Sequence, residues 1–286
     1  MHKILVDTDI GSDIDDAVCL AYLLERTDAE LLGITTVTGQ PERRAKIASV
    51  LCRAVGRDIP IYAGTASPLL IPQYQTEAPQ ADVAERYSHT DRFESGGAVP
   101  FLRETIRRHP GEVSLLTIGP LTNIGLLFAL DPEIPSMLEQ VVTMGGVFGP
   151  PPPNYGETEW NLSGDPHASA IVFRRSVRHR VVGLDVTHRL WMDAATLRRR
   201  FVRPLFDLAR EIGQESLERW GGMVFHDPLA AATIFAPELC RYERGTVSID
   251  TVGPTVGASR FAPDENGPHS VAVTVDPEAF FDRFFR

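Results

Sequence analysis

Residues 7–17, which read DTDIGSDIDDA, place five carboxylates directly after the apolar run Ile4–Val6. An apolar helical pattern follows from Ala17 to Leu24, so the local prediction is a strand, an acidic loop and a helix. Like charges this close resist burial unless a cation joins them. Capping of the helix could explain Asp15, but it does not explain the three earlier aspartates. Because oxygen-only ligands suit Ca²⁺ or Mg²⁺, the stretch predicts a bound hard cation.

The length, net charge and cysteine count of the chain limit the class of protein to which it can belong. Its 286 residues suit one large α/β domain or two small ones, and neither a linker nor an internal repeat favours two. The formal net charge of -10 argues against a nucleic-acid partner. The three cysteines are an odd number, which argues against a disulfide framework. With no signal-peptide pattern near Met1 and no apolar run of about 20 residues, we expect a cytoplasmic protein without a membrane partner.

Strand-like and helix-like segments alternate along the chain. This alternation predicts an α/β fold: a single-domain, open, mostly parallel, Rossmann-like sheet flanked by helices over residues 1–286. Residues 66–98 lose periodicity and are predicted as a lid, and residues 148–158, with four consecutive prolines, as a flexible loop. A charged helical pattern covers residues 194–219. After the first strand, the predicted strands are residues 31–37, 59–62, 113–117, 140–144 and 181–184, with a late β pair at 246–250 and 270–275.

Polar side chains stand at several predicted strand ends. Asp9 follows the first strand, Thr117 ends a later one, and Asp185 follows the sixth. Because the carboxyl ends of parallel strands share one edge of a sheet, these distant segments are expected to converge. The tripeptide HDP at 226–228 and the tripeptide EWN at 159–161 are each ordinary loop or cap sequences when taken alone. The functional prediction depends on all of them occurring together.

As a set, these motifs resemble the inosine–uridine preferring nucleoside hydrolases. The resemblance runs from about residue 3 to the C-terminus, and the motifs follow the order of that family. It implies the nucleoside hydrolase fold, a homodimer or homotetramer, and calcium-dependent hydrolysis of the N-glycosidic bond of ribonucleosides to ribose and free base. The motifs are the acidic loop, TIGPLTN at 117–123, MGG at 144–146, EWN at 159–161, DP at 165–166, GLDVT at 183–187 and HDP at 226–228.

The resemblance also implies roles for individual residues. Asp9 matches the base that deprotonates the calcium-bound water, and His226 matches the proton donor to the leaving base. Met144 matches a residue packed beside the sugar, and Asp7 matches a supporting aspartate. The implied protein ligands of Ca²⁺ are Asp9, Asp16, the backbone carbonyl of Thr117 and Asp227. The implied ribose-binding residues are Asp15, Asn161, Glu159 and Asp227, with Asn154 one position away from a further ribose-binding asparagine of the family.

The chain departs from the common family pattern at two places near the predicted site. Its acidic loop is two residues longer, and an alignment without a gap would put Asp13 in the sugar-binding position of Asp15. Gln40 stands where the common form has asparagine. Four aromatic side chains could stack on a nucleobase, so the base preference stays open at this stage; they are Tyr155, Trp160, Trp220 and Phe225.

Three other functions share part of this pattern. A haloacid-dehalogenase-like phosphatase also carries Asp-x-Asp after its first strand, with Asp7 as nucleophile and Mg²⁺ as metal. However, no Thr or Val stands two residues after Asp9, and no lysine lies near the later strand ends. An EF-hand loop fails because its twelfth position would be Val18 or Leu20 rather than Glu. A nucleoside-binding relative without turnover is disfavoured by the intact His226 and the aspartates.

Overall fold

A computed structural model describes residues 1–286. The strands are β1 His2–Thr8, β2 Ala29–Thr36, β3 Ile61–Ala63, β4 Val113–Ile118, β5 Leu138–Met144, β6 His179–Val182, β7 Trp191–Asp193, β8 Gly222–Val224, β9 Cys240–Ile249, β10 Ser259–Pro263 and β11 His269–Val275. The helices are α1 Asp15–Glu25, α2 Pro41–Ala54, α3 Ala81–Ala84, α4 Ala98–Arg108, α5 Thr122–Leu130, α6 Ile134–Met137, α7 Trp160–Gly164, α8 Pro166–Phe173, α9 Leu184–Thr187, α10 Ala194–Arg200, α11 Pro204–Ile212, α12 Gln214–Trp220, α13 His226–Phe235 and α14 Pro277–Phe284, with a 3-10 helix at Pro237–Leu239.

Nine strands form the central sheet, in the order β10-β9-β11-β6-β5-β4-β1-β2-β3. The seven strands from β11 to β3 are mutually parallel, and β9 runs antiparallel to both of its neighbours. From β1, the chain builds outwards to β2 and β3 on one side and to β4, β5 and β6 on the other. The strand order therefore reverses between β1 and β4, which is where open α/β sheets place their ligands.

The two faces of the sheet carry separate hydrophobic cores. Alternate residues of β1 point to opposite faces: Ile4 and Val6 belong to a cluster of 52 buried residues, and Leu5 belongs to one of 20. Helices cover both clusters, so the central strands are apolar in nearly every position, as buried parallel strands require. Helices α1 and α13 pack against each other on the larger cluster, and this contact brings both ends of the chain to one edge of the sheet.

The predicted fold class, an open and mostly parallel α/β sheet flanked by helices, is confirmed. The differences lie at boundaries. The predicted sixth strand extended to Leu184, but this residue begins α9, because an apolar run does not distinguish a strand end from a helix start. The helical pattern of residues 194–219 is divided into three helices, since Pro204 cannot continue the hydrogen bonding of the preceding turn. Strand β10 and the β7–β8 pair were not predicted from the sequence.

The segment predicted as a lid, residues 66–98, contains only the four-residue helix α3 and an isolated bridge from Ser95 to Ala63. It packs beside the acidic loop, where the backbone N–H of Gln80 donates to the Gly11 carbonyl over 3.2 Å. All three cysteines are free thiols and buried, as the argument against disulfides predicted. None of the helices combines the length and the apolar character needed to cross a bilayer.

Candidate active site

Asp7 links the end of β1 by hydrogen bonds to the neighbouring elements. Its carboxylate is fully buried and accepts hydrogen bonds from Thr35 Oγ1 at 2.5 Å and Asn123 Nδ2 at 2.8 Å. The same Asn123 amide donates to the Thr36 carbonyl at 3.0 Å. Burial raises the pKa of Asp7 to about 7, although both hydrogen bonds lower it. Asp7 thus ties β1 to β2 and α5 and fixes the start of the acidic loop.

The next aspartates form a cluster with one from the far end of the chain. One carboxylate oxygen from each of Asp15, Asp16 and Asp227 lies within 4.8 Å of the other two. Asp15 and Asp16 begin α1, Asp227 is the second residue of α13, and the packing of these helices joins positions 212 residues apart. The Asp227 backbone N–H donates to Asp15 Oδ2 at 3.3 Å. Asp15 is therefore a residue of the first helical turn, with Ile14 as the N-cap, and not the capping residue that the sequence suggested.

This cluster is electrostatically costly for the protein alone. Burial raises the pKa of Asp16 well above its usual range, and the carboxylates of Asp9 and Asp15 raise it further. Burial and then neighbouring carboxylates raise the pKa of Asp15 and Asp227 in the same way. A divalent cation among these oxygens would relieve the repulsion, and carboxylate oxygens are the ligands that Ca²⁺ and Mg²⁺ take. The donor set therefore fits a hard metal ion.

A cavity of about 500 Å³ opens above the cluster at the edge of the sheet where β1 and β4 end. This volume lies in the range of small-molecule sites. Eight of the residues predicted for the site line it, from segments spread over almost the whole chain. They are Asp9, Asp15, Asp16, Met144, Glu159, Asn161, His226 and Asp227.

Glu159 and Asn161 form the wall of the cavity opposite the acidic loop. Glu159 caps α7: its carboxylate accepts from the backbone N–H groups of Asn161 at 2.7 Å, Leu162 at 3.0 Å and Gly146 at 3.0 Å. The Asn161 side chain donates to the Met144 carbonyl at 3.1 Å. Burial raises the pKa of Glu159, and these backbone donors lower it. The wall is thus held rigidly, with an acidic and an amide group facing the cavity.

His226 lies at the start of α13, next to the acidic cluster. Its Nδ1 is 2.6 Å from the Thr187 hydroxyl of α9. Burial lowers the pKa of His226, and the nearby His188 adds a smaller effect in the same direction, so that the two together bring the pKa to about 3. In a neutral ring whose Nδ1 accepts from the Thr187 hydroxyl, the single proton stands on Nε2 and can donate a hydrogen bond to a bound molecule. In a protonated ring, Nδ1–H donates to Thr187 and the Nε2 proton can be transferred.

The comparison with known proteins decides the family. The family model described as inosine-uridine preferring nucleoside hydrolase matches residues 4–282. The chain belongs to this family. Membership makes it a hydrolase of N-glycosyl compounds that acts on ribonucleosides, which confirms the class of enzyme predicted from the motifs. The match gives no support to the phosphatase alternative.

Individual nucleoside hydrolases and related enzymes match almost the entire chain. Uridine nucleosidase 1 of Arabidopsis thaliana is 29% identical over 311 residues, covering 98% of this chain and 91% of the relative. The inosine-uridine preferring nucleoside hydrolase of Leishmania major is 30% identical over 311 residues, covering 99% and 95%. Among solved structures, a purine-preferring ribonucleoside hydrolase from Gardnerella vaginalis is 24% identical with a TM-score of 0.85, covering 99% of this chain and 96% of that one, and shows the same fold.

Three of the residues considered from the sequence stand apart from the other site residues in this nucleoside hydrolase. Thr117 is buried, with its hydroxyl 2.8 Å from that of Thr143, and the next residue, Ile118, lines the cavity in its place. Asn154 is exposed, has a backbone φ of 70° and does not line the cavity. Asp13 reaches the edge of the cavity but is exposed and stands outside the three-aspartate cluster.

Two residues of the site were missed from the sequence. Arg44 on α2 is fully buried beneath the acidic loop, although arginine side chains are mostly exposed in proteins. Its guanidinium donates to the carbonyls of Asp9, of Ile10 at 3.2 Å and of Glu77 at 2.8 Å. Gln75, from the aperiodic lid, lines the cavity and bonds to Asp9. No periodicity or motif marks either residue, so the sequence offered no signal for them.

Proposed function

We propose that this nucleoside hydrolase uses Ca²⁺ to cleave the N-glycosidic bond of ribonucleosides, giving ribose and a free base. The observation that carries the proposal is the cluster of buried carboxylates from Asp15, Asp16 and Asp227, which lines a cavity of about 500 Å³ together with Asp9. We propose Asp9, Asp16 and Asp227 as ligands, together with a backbone carbonyl at the end of β4. The family pattern suggests that of Thr117, while the lining of the cavity favours that of Ile118.

The chemistry follows from these residues. When bound, a calcium ion supplies positive charge that lowers the pKa of a water molecule beside it. Asp9, which lines the same cavity as the proposed ligands, accepts the proton of the attacking water. Cleavage builds positive charge on the sugar, as in other glycoside hydrolysis, and the surrounding carboxylates stabilise that charge because they are buried and already oriented.

The ribose is held by hydroxyl contacts. We propose that Asp15, Asp227, Glu159 and Asn161 bind the ribose hydroxyls, and that Met144 packs beside the ring. Their common support is that all line one cavity and are buried. Asn154 stays a prediction, since reaching the sugar would require its loop to move inwards. Asp13, from the longer acidic loop, stays a prediction as a partner of the sugar.

The leaving base departs next to His226, which we propose as its proton donor. A neutral imidazole is too weak an acid to lose its N–H proton, so the transfer requires the ring protonated on both nitrogens. The Thr187 hydroxyl then accepts from Nδ1–H, and the Nε2 proton goes to the departing base. Tyr155, Trp160 and Trp220 line the same cavity and are partly exposed, which suits stacking on a base. The names of the relatives include a uridine nucleosidase and a purine-preferring ribonucleoside hydrolase, so both classes of base belong in the assay.

We also propose a cytoplasmic location and a homodimer or homotetramer. The location is supported by three free, buried thiols, which are typical of a reducing compartment. The oligomeric state rests on the family resemblance, and sedimentation velocity of the purified protein tests it.

The first prediction concerns the sugar. Ribonucleosides are expected to be cleaved about 10⁴–10⁵-fold faster, in kcat/KM, than their 2′-deoxy counterparts, because an absent hydroxyl leaves buried polar groups unpaired. The measurement is a panel of inosine, guanosine, uridine and cytidine beside the matching deoxynucleosides, with the free base and the reducing sugar both quantified. Nucleoside binding without products would instead support a relative without turnover. A deoxynucleoside cleaved as fast as its ribonucleoside would contradict the ribose assignments.

The second prediction concerns the leaving group. His226→Ala is expected to lower kcat for inosine by about 10²–10⁴-fold, because the departing base loses its proton donor. A nitrophenyl riboside, whose leaving group needs no proton, should be slowed far less. Thr187→Val serves as the matched second variant, since it keeps the shape but removes the hydroxyl that orients the ring. Equal slowing of both substrates by His226→Ala would exclude the acid role.

A further inference from the structure

The side-chain amide of Gln75 joins the acidic loop to Trp160. Its Nε2 donates to Asp9 Oδ2 at 2.8 Å and to Ser12 Oγ at 2.9 Å. Its Oε1 accepts from Trp160 Nε1 at 3.0 Å. The orientation of the amide is fixed by chemistry, because an ionised carboxylate can only accept a hydrogen bond and an indole N–H can only donate one. The side chain is 7% exposed, so these bonds are shielded from water.

The lid segment that carries Gln75 is fastened at its base. A side chain at Gly39 would collide with the backbone carbonyls of Gln75 and Thr76, so this glycine allows the lid backbone to approach β2 closely. The buried Arg44 donates from one nitrogen to the Glu77 carbonyl of the lid and from another to the acidic loop. The position of the Gln75 side chain is therefore set by the fold and does not depend on the flexibility of an exposed loop.

The hydrogen bond from Gln75 affects the orientation of the Asp9 carboxylate. Accepting a proton from water requires the carboxylate to keep one orientation, and a hydrogen bond to one of its oxygens restricts its rotation. Gln75 supplies that bond from a neutral donor, which leaves the negative charge of Asp9 in place. Its other end reaches Trp160, which lines the cavity and is 50% exposed. The amide thus joins the proton acceptor to the aromatic side chain at the cavity mouth.

We propose that Gln75 is a positioning residue, which holds the Asp9 carboxylate for proton transfer and couples it to Trp160. The proposal rests on the proposed function, and it assigns part of the lid to the active site. Because Gln75 has no bond to the residues proposed to hold the ribose, its main contribution is to the chemical step through Asp9, and its effect on KM is limited to its bond with Trp160.

The test replaces Gln75 with Met, which keeps the length but removes both polar atoms. This variant is expected to lower kcat by about 10- to 100-fold, the effect of losing a hydrogen bond to a charged group, with KM changed by less than about three-fold. Gln75→Glu is a second variant of the same shape. It should lose at least as much kcat, because a carboxylate then faces Asp9. Thermal melting confirms that each variant is folded.

Gln80→Met is the matched control. Gln80 is a glutamine of the same lid, is 3% exposed and bonds to Ser216 instead of Asp9. Its replacement is expected to leave kcat unchanged. A loss of kcat equal to that of Gln75→Met would show that any disturbance of the lid suffices, and would overturn the proposal. A rise in KM without loss of kcat for Gln75→Met would do so as well.

Trp160→Phe tests the coupling, because it keeps an aromatic ring and removes the N–H. Alone it should lower kcat by about 3- to 10-fold, and combined with Gln75→Met it should add little, since both act through one amide. Full additivity would contradict the link. A wild-type enzyme that cleaves no ribonucleoside would refute the proposed function itself, whereas an active wild type with fully active Gln75 variants would refute only the role of Gln75.

Discussion

Replacing Asp9 with asparagine is expected to lower kcat for a good ribonucleoside substrate by about 10²–10⁴-fold, because the water then loses its general base. Asn keeps the size of the side chain, and its carbonyl can still accept the bond from Gln75. The variant should therefore fold, while calcium binding is weakened by the loss of one proposed ligand charge. Initial rates measured at saturating substrate and calcium, with excess enzyme for the slow variant, separate the loss of the base from weaker metal binding.

A buried aspartate outside the site provides the control for this prediction. Asp131 is 4% exposed and accepts hydrogen bonds from Arg103 and Arg107, which hold its pKa below the usual range. Asp131→Asn is expected to reduce stability and to leave kcat of the folded protein unchanged. Undiminished turnover by Asp9→Asn would remove Asp9 from the role of base, and an equal loss by Asp131→Asn would attribute the effect to any buried charge.

The prediction of the fold from the sequence succeeded where local pattern and topology agree. Residues 4–24 read as strand, acidic loop and helix, and the structure has β1 and α1 there. Parallel strands share their carboxyl edge, so polar groups after distant strands could be expected to meet. This expectation covers Asp9 and the end of β4, but Asp227 follows no predicted strand, so only the family resemblance placed it beside Asp16. The packing of α1 on α13 supplies the contact.

The sequence did not reveal two kinds of feature. One is the exact register of a strand, and the other is a contact made by residues that follow no periodic pattern. Successive strand residues face opposite sides, so a shift of one position exchanges Thr117 for Ile118 at the cavity wall. Gln75 lies in a segment held by hydrogen bonds from its own side chains and from Arg44, and such contacts leave no repeating pattern. Short strands such as β7 and β8, of three residues each, are likewise too brief to show alternation.

Asp227→Asn is expected to abolish the thermal stabilisation that calcium gives to this protein. A metal that binds only the folded state stabilises it by about 2.7 kcal/mol at a concentration 100 times its Kd, which corresponds to a rise of several degrees in Tm. Asp227 is one of three clustered carboxylates whose pKa values are raised by burial and by one another. Removing its charge should therefore eliminate the calcium-dependent rise and turnover together. In EDTA, the variant should melt no lower than the wild type, because the repulsion within the cluster is reduced.

The difference between the outcomes in calcium and in EDTA makes this prediction specific. A substitution that merely damages the fold lowers Tm under both conditions, whereas loss of a metal ligand lowers it only when calcium is present. Asp13→Asn is the matched control, since Asp13 belongs to the same loop but is exposed and outside the cluster. It should keep the calcium-dependent rise. If Asp13→Asn loses that rise and Asp227→Asn keeps it, the cation is bound by the outer loop, and the buried cluster is not its site.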